Sequence, residues 1–187
     1  MSTSPSADSL ASAAQHFARS GPAPVHLWTP DFCGDLDMRI ARDGTWFYLG
    51  SPIGRRPLVR LFSTILKREG DDYFLVTPVE KVGIQVDDVP FIAVDFEVED
   101  GNITFETNVG DFAPLGPDHP LRLMHNEKGE PAPYVMVRNN LEARIDRKSF
   151  YRLVDLAVPA PFEGAVWLGI WSRGVFFPFM LQVEAME

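Results

Sequence analysis

Met38-Arg39-Ile40-Ala41-Arg42-Asp43-Gly44-Thr45-Trp46-Phe47-Tyr48-Leu49 reads as strand, turn and strand. Apolar runs flank a polar Arg42–Thr45 turn, and Asp-Gly is favoured there because glycine, and to a lesser degree aspartate, tolerates positive φ. Downstream, Pro57 suits a first helical position, and Leu58, Leu61, Phe62 and Ile65 then recur at helical spacing, which predicts a short helix running up to Gly70. Tyr73–Val76 and Val82–Val86 read as strands. Phe91–Val98 and Ile103–Thr107 alternate across Glu99-Asp100-Gly101-Asn102 as a hairpin. Asp111–Pro120 is irregular and reads as a loop. Leu121–Met124, Tyr134–Val137 and Leu141–Ile145 follow as strands, and Asp146 caps a second helix with Phe150, Leu153, Val154 and Ala157 on its apolar face. The chain closes with a hairpin, Ala165–Trp171 and Val175–Val183 around Ser172-Arg173-Gly174. That hairpin is apolar at nearly every position, which predicts burial on both faces or docking on a partner, and Pro178 assigns its strand to an edge or a bulge. Upstream of the opening hairpin, Leu10, Ala13, Ala14 and Phe17 fall on one face of a short helix, with Asp8 at its start and Gly21 past its end.

The two halves of this pattern resemble one another. Met38-Arg39-Ile40 matches Leu121-Arg122-Leu123, Asp43 matches Asn126, Gly44 matches Gly129, and Trp46-Phe47-Tyr48 matches Tyr134-Val135-Met136. Arg55–Leu61 then matches Arg147–Leu153. The fold expected is α+β and mostly β, with two domains built on a duplicated β-β-α-hairpin motif. The expected divisions are a tail over 1–23 with a short helix, an N-terminal α+β domain over 24–82 and a C-terminal β-rich domain over 83–187.

The 187-residue chain is 45% hydrophobic and 23% charged, ordinary globular values that set aside disordered, collagen-like and coiled-coil readings. No apolar run reaches the ~18 residues of a membrane span. The N-terminus shows no signal-peptide pattern, and Cys33 alone cannot form an internal disulfide, so a cytoplasmic protein is expected. The formal net charge of −9 is concentrated. Between Val82 and Leu121 there is no Lys or Arg but nine acids, and the seventeen acids elsewhere match the seventeen bases. Such a chain lacks the net cationic face that sequence-independent binding of a nucleic-acid duplex needs.

Few residues point to chemistry. Arg55 and Arg56 precede one helix, and Arg147 and Lys148 open the other, where positive charge opposes the helix dipole. Free N–H groups beside such side chains suit a phosphate or carboxylate. Asp35-Leu36-Asp37, with Asp31 nearby, could hold Mg²⁺, although a strand places both carboxylates on one face, within reach of arginines. Cys33 has no nucleophile signature and reads as a small buried residue. The spacing of His16, His26, His119 and His125 matches no zinc pattern. No glycine-rich dinucleotide loop, Walker loop or nucleophile elbow is present, and no motif names a cofactor. Trp28, Trp46, Tyr48, Trp167 and Trp171 read as core, with Tyr48 and Trp171 as candidate stacking surfaces.

The run Asp31-Phe32-Cys33-Gly34-Asp35-Leu36-Asp37-Met38-Arg39-Ile40, followed by Asp43–Tyr48, Pro52-Ile53-Gly54-Arg55 and Thr77–Val82, resembles the bacterial family called domain of unknown function 1285. The resemblance runs from about Leu27 to the C-terminus. It implies two domains on a repeated β-rich motif, the second loosely similar to a pleckstrin-homology fold, and a link to signal transduction with a nucleotide-like ligand between the domains. The leading expectation is therefore a ligand-binding, regulatory, non-enzymatic protein. An anionic ligand would be held by Arg39, Arg55, Arg56, Arg138, Asn140 and Arg144, with Tyr48 stacking on it. The alternatives are a metal-dependent phosphate-ester enzyme using Asp35 and Asp37, and a protein-interaction or homo-oligomeric module docking through the C-terminal hairpin.

Overall fold

The computed structural model describes residues 5–18 and 21–182. The chain divides into two units, Met1–Pro90 and Phe91–Glu187. The expected division at Val82 falls instead inside a strand, Lys81–Val86, that belongs to the first sheet and holds it together.

The first unit opens with helix α1 (Ala7–Phe17), whose start is capped by Ser6 rather than Asp8. The Ser6 side chain accepts from the Ser9 N–H and Ser9 Oγ accepts from the Ser6 N–H, a reciprocal cap that satisfies two donors. A 3₁₀ turn over Val25–Leu27 leads into β1 (Phe32–Ile40), β2 (Trp46–Tyr48), β3 (Ser51–Pro52), α2 (Arg56–Thr64), β4 (Leu66–Glu69), β5 (Asp72–Val76) and β6 (Lys81–Val86). Their sheet order is β3-β2-β1-β6-β5-β4. One meander runs outward from the centre, α2 carries the chain across, and a second meander returns so that β6 lies parallel to β1. Leu36, Met38 and Ile40 turn inward on β1 and join Trp46, Phe62, Leu66 and Leu75 in the core. The helix expected to reach Gly70 stops at Thr64. Leu66–Glu69 pairs with Asp72–Leu75 as a strand, and Gly70 (φ +61°) is the first central residue of a two-residue hairpin turn, not a helix C-cap.

The second unit contains β7 (Phe91–Glu99), β8 (Asn102–Thr107), β9 (Phe112–Pro114), β10 (Leu121–His125), β11 (Pro131–Arg138), β12 (Leu141–Ile145), α3 (Arg147–Asp155), β13 (Val158–Phe162), β14 (Ala165–Ser172) and β15 (Val175–Leu181). β9 lies in the segment expected to be a loop, and β13 is a further strand that the sequence reading lacked. Val183, the expected end of the last strand, lies outside the described residues. The larger sheet has the order β10-β11-β12-β7-β8-β9 and curls until β9 comes alongside β11. Strands β13-β14-β15 form a separate sheet, stapled to the first through its last turn. Ser172 Oγ, buried, donates to the Leu115 carbonyl (2.7 Å) and accepts the Ile103 N–H (3.0 Å). Arg173 Nη1 donates to the Ile103 carbonyl (2.6 Å).

Two similar, mostly β domains are thus present, but their equivalence runs in another register from that read in the sequence. In each six-stranded sheet a meander leaves the centre, a second returns, and first and last strands pair in parallel: β1 with β6, and β7 with β12. Each returning strand is followed directly by an aspartate whose N–H donates to the parallel neighbour, Asp87 to the Ile40 carbonyl and Asp146 to the Ala93 carbonyl, both at 3.0 Å. Matching Met38 to Leu121 would instead equate the central β1 with the edge strand β10.

Among the described residues, five two-residue turns have both central residues at positive φ, as type I′ hairpins require: Leu49-Gly50, Asp100-Gly101, Asn139-Asn140, Glu163-Gly164 and Arg173-Gly174. Their backbone twist matches that of the flanking strands, which sets the register of each meander.

Candidate functional site

β1 alternates strictly after a kink at Gly34 (φ +98°): Leu36, Met38 and Ile40 face the core, and Asp35, Asp37 and Arg39 face outward. Next to β1, β6 places Gly83 opposite Asp35 and Gln85 opposite Arg39. On the far side of β6, β5 places Phe74 opposite Gly83. The sheet therefore has one position without a side chain at the centre of its outer face. Asp35 folds into that gap; a Cβ on Gly83 would lie 2.1 Å from Asp35 Oδ1.

The result is an open groove of about 610 Å³ in the first unit, lined by Asp35, Asp37, Arg39, Phe47, Asp71 and Asp72 among others, with Gly83 and Gln85 along β6. A smaller concavity of about 340 Å³ shares Asp35, Asp72 and Gly83 and continues to Phe32, Phe74 and Lys81. Arg39 closes one end. Its Nη1 donates to Asp87 Oδ2 at 2.8 Å, and its guanidinium lies 5.1 Å from the centre of the Phe47 ring, its direct cross-strand neighbour. At the other end Lys81 lies over Phe74 (4.3 Å) and pairs with Glu69 at 2.5 Å, while Lys67 pairs with the same carboxylate at 3.0 Å. The hydrogen bond from Lys81, then that from Lys67, holds the Glu69 carboxyl below the usual carboxylate range. Arg39 is tied to Asp87 and Asp71 is paired with Arg68 at 3.7 Å, which leaves Asp35, Asp37 and Asp72 as the other charged groups of the groove lining.

The same device, a cation laid on a cross-strand ring, recurs at Arg68 over Tyr73 (5.5 Å) and Arg122 over Tyr134 (4.6 Å), both pairs being register partners.

The residues expected to hold an anionic ligand fall in both units. Arg39, Tyr48, Arg55 and Arg56 lie in the first unit, and Arg138, Asn140 and Arg144 in the second. Arg39 reaches the groove. Tyr48 pairs with the buried Met38 and so belongs to the inner face of the sheet, and the ring beside Arg39 is Phe47. Arg55 and Arg56 are exposed at the start of α2, where no side chain caps the helix. Pro57 has no N–H and the Leu58 N–H donates to the Arg55 carbonyl, so little of the expected N–H nest is left there. At α3 the nest is filled from within, because Asp146 Oδ1 accepts the Ser149 N–H at 2.7 Å. Arg138 pairs with Asp111 at 3.2 Å and lies over Phe91. Asn140 is a central residue of the β11–β12 turn. Arg144 sits opposite Tyr134 in the β11–β12 ladder. Cys33 is exposed rather than buried. Among the described residues no three His, Cys, Asp or Glu side chains are grouped to hold a metal ion.

Sequence reasoning missed Gly83, Gln85, Asp71 and Asp72 as groove residues. The outward alternation of Asp35, Asp37 and Arg39 was visible, but the parallel β1–β6 pairing that sets Gly83 beside Asp35 has no local signature.

Two curled, mostly β units, each organised around a central parallel strand pair, define the class of protein. Family models described as the N-terminal and C-terminal domains of the DUF1285 proteins of unknown function match residues 23–89 and 90–179, and the chain belongs to that family. It is similar to the crystal structure of a DUF1285 family protein from Silicibacter pomeroyi DSS-3, with 57% identity, a TM-score of 0.85, and coverage of 95% of this chain and 98% of that one. A second, from Shewanella baltica OS155, shares 28% identity with a TM-score of 0.54 over 64% of this chain and 91% of that one. No curated protein matches. Among the described residues no helix is long and apolar enough to cross a membrane.

Proposed function

We propose that this protein is a non-catalytic binding module whose site is the groove over Gly83, and that its ligand carries a positive charge beside an apolar or aromatic part. The observation that carries the reading is the lining of the groove: Asp35, Asp37, Asp71 and Asp72 around a floor at backbone level, with Phe47 and Tyr73 at its sides. A concave site of this size suits a small organic molecule. Asp71 is paired with Arg68 at 3.7 Å, and the carboxylates of Asp35, Asp37 and Asp72 beside it favour a cationic group and disfavour a phosphate. This reading keeps the expected regulatory role and changes the expected sign of the ligand.

The test is a thermal-shift panel of organic cations, polyamines, divalent metals, nucleotides, cyclic dinucleotides and sugar phosphates. A ligand that binds only the folded state adds about 2.7 kcal/mol at 100 times its Kd, which raises the midpoint visibly. The expected result is a shift with an organic cation that Asp37→Asn abolishes. A shift with nucleotides that is lost in Arg55→Ala would move the site to the start of α2 and overturn the reading. A shift with Mg²⁺ or Mn²⁺ alone, lost in Asp37→Asn, would favour the phosphate-ester enzyme.

A further inference from the structure

The β10 strand is the exposed edge of the larger sheet in the second unit, and the bonding along it can be worked out from its neighbour. β10 and β11 are antiparallel with Leu121 opposite Val135, Arg122 opposite Tyr134, Leu123 opposite Pro133, Met124 opposite Ala132 and His125 opposite Pro131. The hairpin is continued at one end by the Met136 N–H donating to the Pro120 carbonyl (3.1 Å) and at the other by the Asn126 N–H donating to the Glu130 carbonyl (2.9 Å). Antiparallel ladders bond every second pair, so Arg122/Tyr134 and Met124/Ala132 are the bonded pairs. Pro131 and Pro133, which have no N–H, occupy the non-bonded ones. The N–H and C=O groups of Leu121, Leu123 and His125 therefore all point away from β11.

Other edges of the fold are blunted. β13 carries Pro159 and Pro161, β15 carries Pro178, β3 is two residues long and ends in Pro52, β9 curls against β11, and the Val25–Leu27 turn lies against β4. β10 has no proline and no bulge, and its charged Arg122 is drawn to Glu142 by two hydrogen bonds of 3.0 and 3.1 Å. Leu121 and Leu123 lie on the same face as the buried Val135 and are only half covered.

We propose that β10 pairs with β10 of a second copy of this chain, antiparallel about a two-fold axis at Leu123. The strand is self-complementary in that arrangement. Leu123 meets Leu123 of the other copy, Leu121 meets His125, and Arg122 meets Met124, so no like charges face each other. Every outward N–H and C=O of Leu121, Leu123 and His125 gains a partner, and the half-covered leucines are sealed. This inference is independent of the groove and of its ligand.

Sedimentation velocity of the full chain tests it, with the Leu123→Pro variant alongside. Proline at Leu123 deletes an N–H that faces outward, so the β10–β11 ladder is untouched and the variant should keep its circular dichroism and melting midpoint. The expected result is a dimer for the wild type and a monomer for Leu123→Pro. A wild type that stays monomeric up to its solubility limit, or a folded Leu123→Pro variant that remains dimeric, overturns the proposal. Should Leu123→Pro fail to fold, Leu123→Cys in a Cys33→Ser background decides, treated with a short bis-maleimide. Cα atoms of a bonded antiparallel pair lie about 5.5 Å apart, so efficient cross-linking to a dimer is expected, and its absence overturns the proposal.

Discussion

Asp35 Oδ1 occupies the space that a Cβ on Gly83 would fill, 2.1 Å from where that carbon would sit. The relationship ties a strand glycine to the charge of the groove, because a carboxylate is drawn over the sheet only where its parallel neighbour has no side chain. Asp35 is the free end of a flexible side chain, so the contact is soft.

Gly83→Ala is therefore expected to be tolerated. Asp35 swings aside, and removal of a strand glycine offsets the change by about 0.5–1 kcal/mol. Urea unfolding should show stability equal to or slightly above the wild type, together with weakened binding of any groove ligand.

Gly169→Ala should behave in the opposite way. Its Cβ would lie 2.2 Å from the Phe177 carbonyl oxygen and 2.8 Å from Pro178 Cα, both main-chain atoms. The β14–β15 pair must shift, which costs about 1–3 kcal/mol. A lower urea midpoint with an unchanged m-value is the expected reading.

Ser172→Ala should destabilise the second unit. The Ile103 N–H loses its buried acceptor and the Leu115 carbonyl loses a donor, and an orphaned buried group costs about 1–3 kcal/mol. Hydrogen exchange at Ile103, measured by NMR, should accelerate in the variant.

Acid should loosen two ion pairs, one in each unit. The carboxyl of Glu69 is held low by Lys81 and Lys67, and that of Asp95 by Arg152 and then the Phe96 N–H. A carboxylate whose folded pKa is depressed contributes stability above its unfolded value, and that contribution disappears as pH falls through the folded value. Glu69→Gln and Asp95→Asn should each flatten the acid limb of stability against pH and coincide with the wild type at the lowest pH. Both pairs are exposed, so the effect is small and shrinks further in salt.

Local chemistry made much of the fold legible. Asp100-Gly101 and Arg173-Gly174 marked hairpins because only a few residues accept positive φ, and Asp146 marked the start of α3 because its side chain can meet the Ser149 N–H. Strand β4 was hidden because Leu66 continues the helical spacing of Leu58, Leu61, Phe62 and Ile65, and Gly70 suits a helix end as well as a hairpin. Strand β13 was hidden by Pro159 and Pro161, which an edge strand accepts when its N–H would face outward. The groove was only half legible. Alternation along β1 exposes Asp35, Asp37 and Arg39, but their neighbours Gly83 and Gln85 come from a strand more than forty residues away in the chain, joined by a parallel pairing that leaves no periodic trace. The partners of the arginines expected as ligand contacts were hidden for a related reason. The arginines are visible in sequence, whereas the partners of the two strand arginines, Asp87 for Arg39 and Asp111 for Arg138, are set by tertiary structure.

The most direct test of the account is amide chemical-shift mapping of the ¹⁵N-labelled protein, titrated with the organic cation that most raises the melting midpoint. The account predicts saturable shifts confined to the groove, at Asp35–Arg39, Asp71–Phe74 and Gly83–Gln85, and their loss in Asp37→Asn. Shifts centred on Arg55 and Arg56 or on the second unit, or a spectrum that no cation changes, would contradict it.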